Sequence, residues 1–328
     1  MPSPYAELHC ASNFSFLHGA SHPEELVDRA HALGYAALAI TDECSLAGVV
    51  RAHLRARATG LPLLIGAQFS LRDACGDDSR LVLIAASRNG YGNLSELVTR
   101  ARMRADKGRY RLLDTDLADR LDDCLALLVP SAAIAVDPAA GSPAPPPDSP
   151  CGKLSASARL LRDRFDGRCW LGVPLLVRGH DTALLERTRL LAAATGLPRV
   201  AVGDVLYHVR SRKTLQDTLT AIRLNTPLAE LGYALASNAE QHLRSRLRLA
   251  RLYPAELLDE TLAVAARCRF SLDELRYEYP EEIVPAGHSP ASWLRALVFD
   301  GVPGRYPDGL PPAVAAQLEH ELALITEL

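Results

Sequence analysis

Short apolar runs alternate with helical patterns from Tyr5 to Val205, and this alternation limits the fold more than any other feature of the chain. Because a helix between two strands returns the chain to the same end of the sheet, such alternation is typical of parallel α/β sheets. The runs that read as strands are Tyr5–Cys10, Ala36–Ile40, Leu61–Ile65, Arg80–Ala86, Cys124–Val129, Cys169–Val177 and Arg199–Val205. The pattern predicts a TIM-like α/β barrel of about seven parallel strands, and the alternative is an open, doubly wound sheet.

The strand signal ends near Arg212, and the remainder of the chain carries helical patterns. We therefore expect a barrel domain over residues 1–212 and a mainly helical segment over 213–328. The helices predicted in that segment are Lys213–Leu224, Asn238–Leu252, Ala255–Arg269, Ser289–Val298 and Pro312–Leu328. Residues 135–152 are rich in proline, alanine, glycine and serine, which predicts a flexible insertion within the barrel domain. The chain stops inside a helical pattern, which is typical either of a piece of a longer protein or of a frayed last helix.

Composition and charge exclude several classes of protein. The formal net charge is -3, so any contact with nucleic acid must come from local patches. No run reaches the ~18 apolar residues that a membrane span requires, and the first residues lack the basic and apolar regions of a signal peptide. The seven cysteines are scattered singly without a CxxC pair, which disfavours structural zinc and favours a reducing compartment. We expect a cytoplasmic protein without membrane contact.

Polar side chains gather where the predicted strands end. Chemistry collects at the carboxyl ends of the strands in a parallel barrel. The residues found there, or in the loop that follows the first strand, are His9, His18, Asp42, Glu43, Gln68 and Asp204. All but the glutamine are able to ligate a metal or to act as an acid or base. A lone residue of this kind is usually a capped loop residue, but their convergence on one rim makes a metal site a candidate.

Four segments resemble the motifs of the polymerase-and-histidinol-phosphatase (PHP) domain found at the N-terminus of bacterial C-family DNA polymerase III alpha subunits. They are Tyr5–Gly19, Ala39–Glu43, Leu63–Gln68 and Gly203–Leu206. The stretches LHCASNFSFLHGAS and ITDECSLAGV resemble the error-prone, damage-inducible branch of that family most. The resemblance covers essentially the whole chain. It implies a PHP-type distorted barrel followed by the start of the polymerase region, the palm and thumb.

The departures from the metal-binding pattern of that family are concentrated at the rim. Relative to that pattern, Ala11 and Leu206 replace histidines, Gln68 replaces a glutamate, and Arg80 stands where a histidine usually begins a strand. The ligand-capable residues that remain are His9, His18, Glu43 and Asp204. A cluster of two or three divalent ions needs anionic or imidazole groups at nearly all of the family's ligand positions. The resemblance therefore implies a vestigial site that holds no metal, in which Arg80 neutralises Glu43 and Asp204 directly.

The resemblance implies that the chain is the N-terminal part of an error-prone polymerase that acts in damage-induced mutagenesis and translesion synthesis. The barrel would be a structural and interaction module. The palm aspartates that hold Mg²⁺ for nucleotidyl transfer would lie beyond Leu328, so no cofactor is expected in this chain. DNA, the sliding clamp and other translesion mutagenesis proteins are the partners implied. The alternative is a metal-dependent phosphoesterase or a proofreading 3′–5′ exonuclease in which His208 assists the four rim ligands.

Arginine-rich stretches are the candidates for contact with DNA phosphates. The residues we single out are Arg210, Arg212, Lys213, Arg244, Arg246 and Arg248. Such contacts are independent of base sequence and weaken with salt. A solvated helix face is the other interpretation of these stretches, and the sequence leaves both open.

Overall fold

The computed structural model describes residues 3–71, 79–117, 121–130, 150–276 and 283–327. The chain forms two compact units, Met1–Leu275 and Arg276–Leu328. The first unit contains the sheet and most of the helices. The predicted insertion lies outside the described residues up to 149, and its last residues begin a helix at Pro150.

A seven-stranded sheet runs through the first unit in simple sequence order. Its strands are β1 Ala6–Glu7, β2 Ala37–Glu43, β3 Leu63–Ser70, β4 Arg80–Ala85, β5 Cys124–Val129, β6 Cys169–Val173 and β7 Arg199–Ala201. The sheet curls into a half-barrel with helices on its outside. Among the described residues, the segments that follow β1 and β7 meet at an isolated bridge between Cys10 and Val205, so the two ends of the curled sheet approach each other at its carboxyl rim. The barrel class predicted from the alternation is confirmed.

One strand departs from the predicted all-parallel arrangement, because β4 pairs antiparallel with both β3 and β5. The connection from β3 to β4 covers only residues 71–79, and a parallel crossover requires a dozen residues or more. The chain therefore turns back directly. As a result, Arg80 at the start of β4 lies beside Ser70 at the end of β3, on the rim that carries the other strand ends.

The helices of the first unit are α1 Pro23–Ala32, α2 Val49–Thr59, α3 Arg88–Met103, α4 Pro150–Arg164, α5 Asp181–Thr195, α6 Lys213–Leu224, α7 Arg246–Leu252 and α8 Ala255–Arg267. Helix α8 packs on both β1 and β7, the two terminal strands of the sheet. Its Thr261 hydroxyl accepts a hydrogen bond from the backbone of Ala6 at 3.1 Å, and Val264 is buried with apolar side chains of the strands. Covering the terminal strands in this way protects their unpaired edges. The compact unit that contains the sheet extends to Leu275.

The segment from Asn238 to Ser245 is not helical, so the helix predicted over Asn238–Leu252 is wrong in its first half. Its backbone pairs instead with the chain that follows β7. Gln241 accepts from the N–H of Leu206 at 2.9 Å, and Leu243 donates to Tyr207 at 3.3 Å. These nonlocal bonds satisfy the groups that a helix would have satisfied internally.

The second unit contains α9 Pro290–Arg305 and α10 Pro312–Glu327. Arg295 of α9 and Glu319 of α10 form a bidentate ion pair, with nitrogen–oxygen distances of 2.6 and 2.5 Å. Within the described ranges, no helix combines the length and the apolar character needed to cross a membrane.

Candidate functional site

The carboxyl rim of the curled sheet brings His9, Gln68, Arg80 and Asp204 together. His9 is buried, and its Nε2 lies 2.6 Å from the Gln68 side-chain oxygen. Arg80 donates to that same oxygen at 3.2 Å, which identifies the atom as an acceptor and His9 Nε2 as a donor. The neutral His9 ring therefore carries its proton on Nε2 and leaves the Nδ1 lone pair facing Asp204 Oδ1 at 3.7 Å. No hydrogen-bond partner of His9 Nδ1 is found among the described residues.

Arg80 is the positive charge of this group. One guanidinium nitrogen lies 3.2 Å from the Gln68 oxygen and 3.7 Å from the Asp204 carboxylate. The rim thus pairs an arginine with the carboxylate that the family pattern would assign to a metal.

Burial and Arg80 together account for the shifted pKa values of His9 and Asp204. Burial is the main cause that lowers the pKa of His9, and Arg80 lowers it further against the opposing effect of Asp204. Burial raises the pKa of Asp204, but Arg80, then His9, Arg178 and Gln241, outweigh it and hold the pKa below its usual range. At neutral pH the site therefore contains a neutral imidazole, a carboxylate and a guanidinium.

Asp42 and Glu43, which follow each other at the end of β2, have different hydrogen-bond partners. The buried Asp42 carboxylate accepts three hydrogen bonds of 2.7 Å, from the Ser12 backbone, the Ser12 hydroxyl and the Ser15 hydroxyl. It fixes the loop after β1. The Glu43 carboxylate accepts a hydrogen bond from the Tyr110 hydroxyl.

The positions that the family fills with further ligands are apolar here. Ala11 and Leu206 pack together with Ala20 and Tyr207 in a small buried cluster. His18 lies in the loop that Asp42 fixes, where its backbone donates to Ser15 at 2.9 Å. In the portion of the chain that the structure describes, no three His, Cys, Asp or Glu side chains are grouped as ligands for a metal ion.

Sequence reasoning missed three polar residues at or near the site. Gln241 donates to the Asp204 carboxylate at 2.8 Å, and Arg178 donates to Gln241 at 2.9 Å. Beneath the rim, the buried Glu7 carboxylate accepts from the backbones of His9 and Gly203 at 3.0 and 2.8 Å and from the Tyr5 hydroxyl at 2.9 Å. Gln241 was hidden inside a predicted helix, and Glu7 inside an apolar strand. No local pattern identifies Gln241, because Asp204 and Arg178 are distant from it in sequence, and the bond of Glu7 to Gly203 is equally nonlocal.

The predicted phosphate contacts separate into two groups. Arg244 is only 1 % exposed, and its guanidinium donates to the Leu175 carbonyl at 2.6 Å. The prediction that it contacts DNA is therefore wrong, because the nonhelical segment turns it into the core. The other five side chains reach the surface, and each has a partner within the chain: Arg210 and Arg248 with Glu240, Arg212 with Glu25, Lys213 with Asp217, and Arg246 with the Leu33 carbonyl.

A pH titration tests the state of Asp204. Its pKa is lower in the folded chain than the ~3.9 of an unfolded aspartate. Its ionised form therefore stabilises the fold at and above the unfolded pKa, and this contribution is lost as the pH falls through the folded pKa. We expect Asp204→Asn to be less stable than the unsubstituted chain in urea at pH 7, with a difference that shrinks below about pH 4. Asp122→Asn, at an exposed carboxylate, is the control, and a difference for Asp204→Asn that stays constant down to pH 2 would contradict the assignment.

Several known proteins are similar to this chain. Residues 7–140 match the model of the PHP domain. The chain is 54 % identical to a protein of Bordetella parapertussis named error-prone DNA polymerase, over 99 % of this chain and 30 % of that protein. A protein of the same name from Dechloromonas aromatica is 52 % identical, again over 99 % of this chain and 30 % of its own length. Among solved structures, an amidohydrolase from Chromobacterium violaceum aligns with 62 % of this chain and 87 % of its own, at 17 % identity and a TM-score of 0.43.

The chain thus spans about a third of the length of the curated relatives it matches. The PHP match includes β2 to β5, with Glu43, Gln68 and Arg80 on β2, β3 and β4, and it includes His9 just after β1. The chain contains a PHP domain over residues 7–140 and corresponds to the N-terminal part of proteins named error-prone DNA polymerase, which are about three times longer.

Proposed function

We propose that this chain is the structural and docking module of an error-prone DNA polymerase, and that an arginine–carboxylate network replaces the metal cluster at its rim. The observation that carries the proposal is the position of the Arg80 guanidinium, 3.2 Å from Gln68 and 3.7 Å from Asp204. Its positive charge stands where a divalent ion would have to bind.

The described donors around Asp204 do not fit a divalent ion. Two unit charges about 4 Å apart interact by about 4 kcal/mol at an effective dielectric constant of 20. An ion at this distance from both groups is repelled by Arg80 about as strongly as it is attracted by Asp204. Neutral His9 and Gln68 add no net charge to favour it. The residues present stabilise one another without a metal.

The wider role follows from the relatives. A polymerase that works on damaged DNA and tolerates errors has little use for a proofreading hydrolysis, which is consistent with the loss of ligands. We assign to the longer polymerase the action in damage-induced mutagenesis and translesion synthesis, contact with DNA, the sliding clamp and other mutagenesis proteins, and a cytoplasmic location. The Mg²⁺ ions of nucleotidyl transfer would belong to the region beyond Leu328.

Counting bound metal tests this proposal. The chain is equilibrated with Mn²⁺ or Zn²⁺, desalted, and analysed by mass spectrometry for metal and by titration calorimetry. We expect no tightly bound equivalent, whereas Arg80→Ala, which removes the repulsive charge, should gain at least about tenfold in Mn²⁺ affinity. Arg109→Ala, at an exposed arginine, serves as the matched control and should match the unsubstituted chain. Two or more tightly bound equivalents in the unsubstituted chain would overturn the proposal.

A second candidate function is metal-dependent cleavage of single-stranded DNA, as in a 3′–5′ exonuclease. The observation that favours it is the buried His9 Nδ1, which has no hydrogen-bond partner among the described residues and faces Asp204 Oδ1 at 3.7 Å. A cation between these two atoms would satisfy both. This function predicts Mn²⁺-stimulated cleavage that disappears in Asp204→Ala. Equal residual activity of the unsubstituted chain and Asp204→Ala across several metals would exclude this function.

Contact with DNA through Arg210 and Arg248 is part of the same proposal. Both side chains are exposed and share the buried Glu240 carboxylate as their partner, at 3.7 and 3.4 Å. Replacing both by alanine should weaken binding of single-stranded DNA and reduce its salt dependence by about two counterions. Arg251→Ala, at the end of α7, is the control. An unchanged salt dependence in the double variant would assign these residues to the intramolecular pairs alone.

A further inference from the structure

Helix α6 buries two polar side chains beside the inward-packing Leu219, and it exposes several of its large apolar side chains. Gln216 and Thr220 are the buried positions of this helix, at 8 and 2 % exposure. Leu215 and Ile222 are 40 and 59 % exposed. A helix on the surface of a globular domain normally has the opposite arrangement, because apolar burial is what holds it in place.

The buried polar groups of α6 are satisfied without outside partners. The Gln216 amide donates to the Thr220 hydroxyl at 3.0 Å, and that hydroxyl donates to the Gln216 carbonyl at 3.0 Å. The buried side of α6 is therefore compatible with the fold, and Leu215 and Ile222 are left exposed on another side of the helix.

The outward side chains form one surface. Leu215 and Ile222 are seven residues apart, so they lie on the same side of the helix, with Thr218 between them. Beyond the end of α6, Leu228 continues this surface, and a cleft of about 510 Å³ lies between it and Ile222. We call Leu215, Thr218, Ile222 and Leu228 the α6 face.

The charge of this region is low. From Thr214 to Leu228 the charged residues are Asp217 and Arg223. Asp217 is paired with Lys213 at 2.6 Å, and it lies on the other side of the helix from Leu215. Depletion of charged groups and exposed aliphatic side chains around a cleft are typical of the centre of a permanent interface.

The curated relatives indicate what covers the face. Each aligns with 99 % of this chain over only 30 % of its own length, so most of the polymerase lies outside the aligned part. A partner on the same polypeptide is present at high effective concentration, so a small apolar face is sufficient to hold it. A second copy of this chain would have no such advantage.

We propose that the α6 face is the docking surface for the polymerase region that follows this chain in its longer relatives, with an aliphatic or aromatic side chain of that region inserted into the cleft beside Ile222. The inference rests on the proposed function and gives the docking module a specific surface. It predicts that these side chains are exposed in the 328-residue chain and buried in the complete polymerase.

Hydroxyl-radical labelling followed by mass spectrometry tests the inference. Two proteins are compared: this chain alone, and a chimera in which it replaces the aligned part of the Bordetella parapertussis polymerase. Labelling of Leu215, Ile222 and Leu228 should fall by about fivefold or more in the chimera, as expected for side chains at an interface centre. Equal labelling in both proteins would overturn the inference.

A substitution provides an independent measurement. Ile222→Glu should leave the thermal midpoint of the chain alone unchanged and lower that of the chimera, because the carboxylate would be desolvated at the interface. Leu54→Glu, at an exposed leucine of α2, is the control and should behave alike in both proteins. A destabilised chimera with Leu54→Glu but not with Ile222→Glu would place the interface elsewhere.

Two further outcomes distinguish the causes of failure. If the chain alone protects the α6 face and its mass by light scattering is twice 35.5 kDa, the occupant is a second copy and the docking inference is wrong. If tight metal binding or metal-dependent cleavage is found, the proposed inactive rim is wrong, while the labelling result still decides the docking inference.

Discussion

Replacing Arg244 by alanine is expected to lower the free energy of unfolding by about 3–5 kcal/mol, because it removes a large buried side chain and leaves its hydrogen-bond acceptors unpaired. Its guanidinium donates to the Leu175 carbonyl at 2.6 Å and to the Tyr253 hydroxyl at 3.4 Å, and it lies over the Tyr253 ring at 5.7 Å. The substitution leaves a cavity and unsatisfied buried acceptors. Urea unfolding at neutral pH measures the effect.

The control for this prediction is Arg251→Ala, at an exposed arginine seven residues further along the chain. We expect it to stay within about 0.5 kcal/mol of the unsubstituted chain, as is usual for surface substitutions. If Arg244→Ala were equally mild, or if it changed the salt dependence of DNA binding in a folded chain, the interior role of Arg244 would be wrong.

Replacing Glu7 by alanine is expected to destabilise the chain by roughly 3 kcal/mol, because three buried donors would each lose an acceptor at about 1–3 kcal/mol, partly offset by the relief of burying a carboxylate. Glu7 accepts from His9 and Gly203, and so connects the chain after β1 with the chain after β7. The closure of the curled sheet at its rim depends on this connection. Loss of amide protection at Gly203 in hydrogen exchange would accompany the loss of stability.

Glu7→Gln is the matched variant, since the amide keeps an acceptor oxygen for the two backbone N–H groups. Burial raises the pKa of Glu7 above its usual range, and this effect exceeds the lowering effects of its hydrogen bonds to Gly203, His9 and Tyr5. The ionised group therefore reduces stability as the pH rises through the folded pKa. We expect Glu7→Gln to be at least as stable as the unsubstituted chain at pH 7. Equal destabilisation by Gln and Ala would contradict this account.

The predictable part of this protein lies where local pattern and local structure agree. The alternation of apolar runs and helical patterns placed β2, β4 and β5 within a few residues of their observed bounds. The same pattern placed His9, Glu43, Gln68 and Asp204 at strand ends, and strand ends converge in any curled parallel sheet. The presence of Ala11, Leu206 and Arg80 at or near the strand ends was also readable, because it needs only the order of the motifs.

Other features were decided by contacts between segments far apart in sequence. The stretch from Asn238 to Ser245 has a helical pattern, yet its backbone pairs with residues after β7, and this pairing sends Gln241 to Asp204 and Arg244 into the core. The direction of β4 depends on a short connection rather than on its own residues. Helix α6 has apolar residues at helical spacing, but the side that it buries carries Gln216 and Thr220.

The sequence by itself thus determined the barrel class, the family and the residue types at the rim, since these follow from periodicity and from the identity of side chains. Only the tertiary structure decided which carboxylates meet arginine, which arginines are interior, and which apolar side chains of α6 are exposed. The physical reason is that local preferences amount to fractions of a kilocalorie per residue and leave partners unspecified. Hydrogen bonds and apolar burial between distant segments determine which residues become partners in the complete fold.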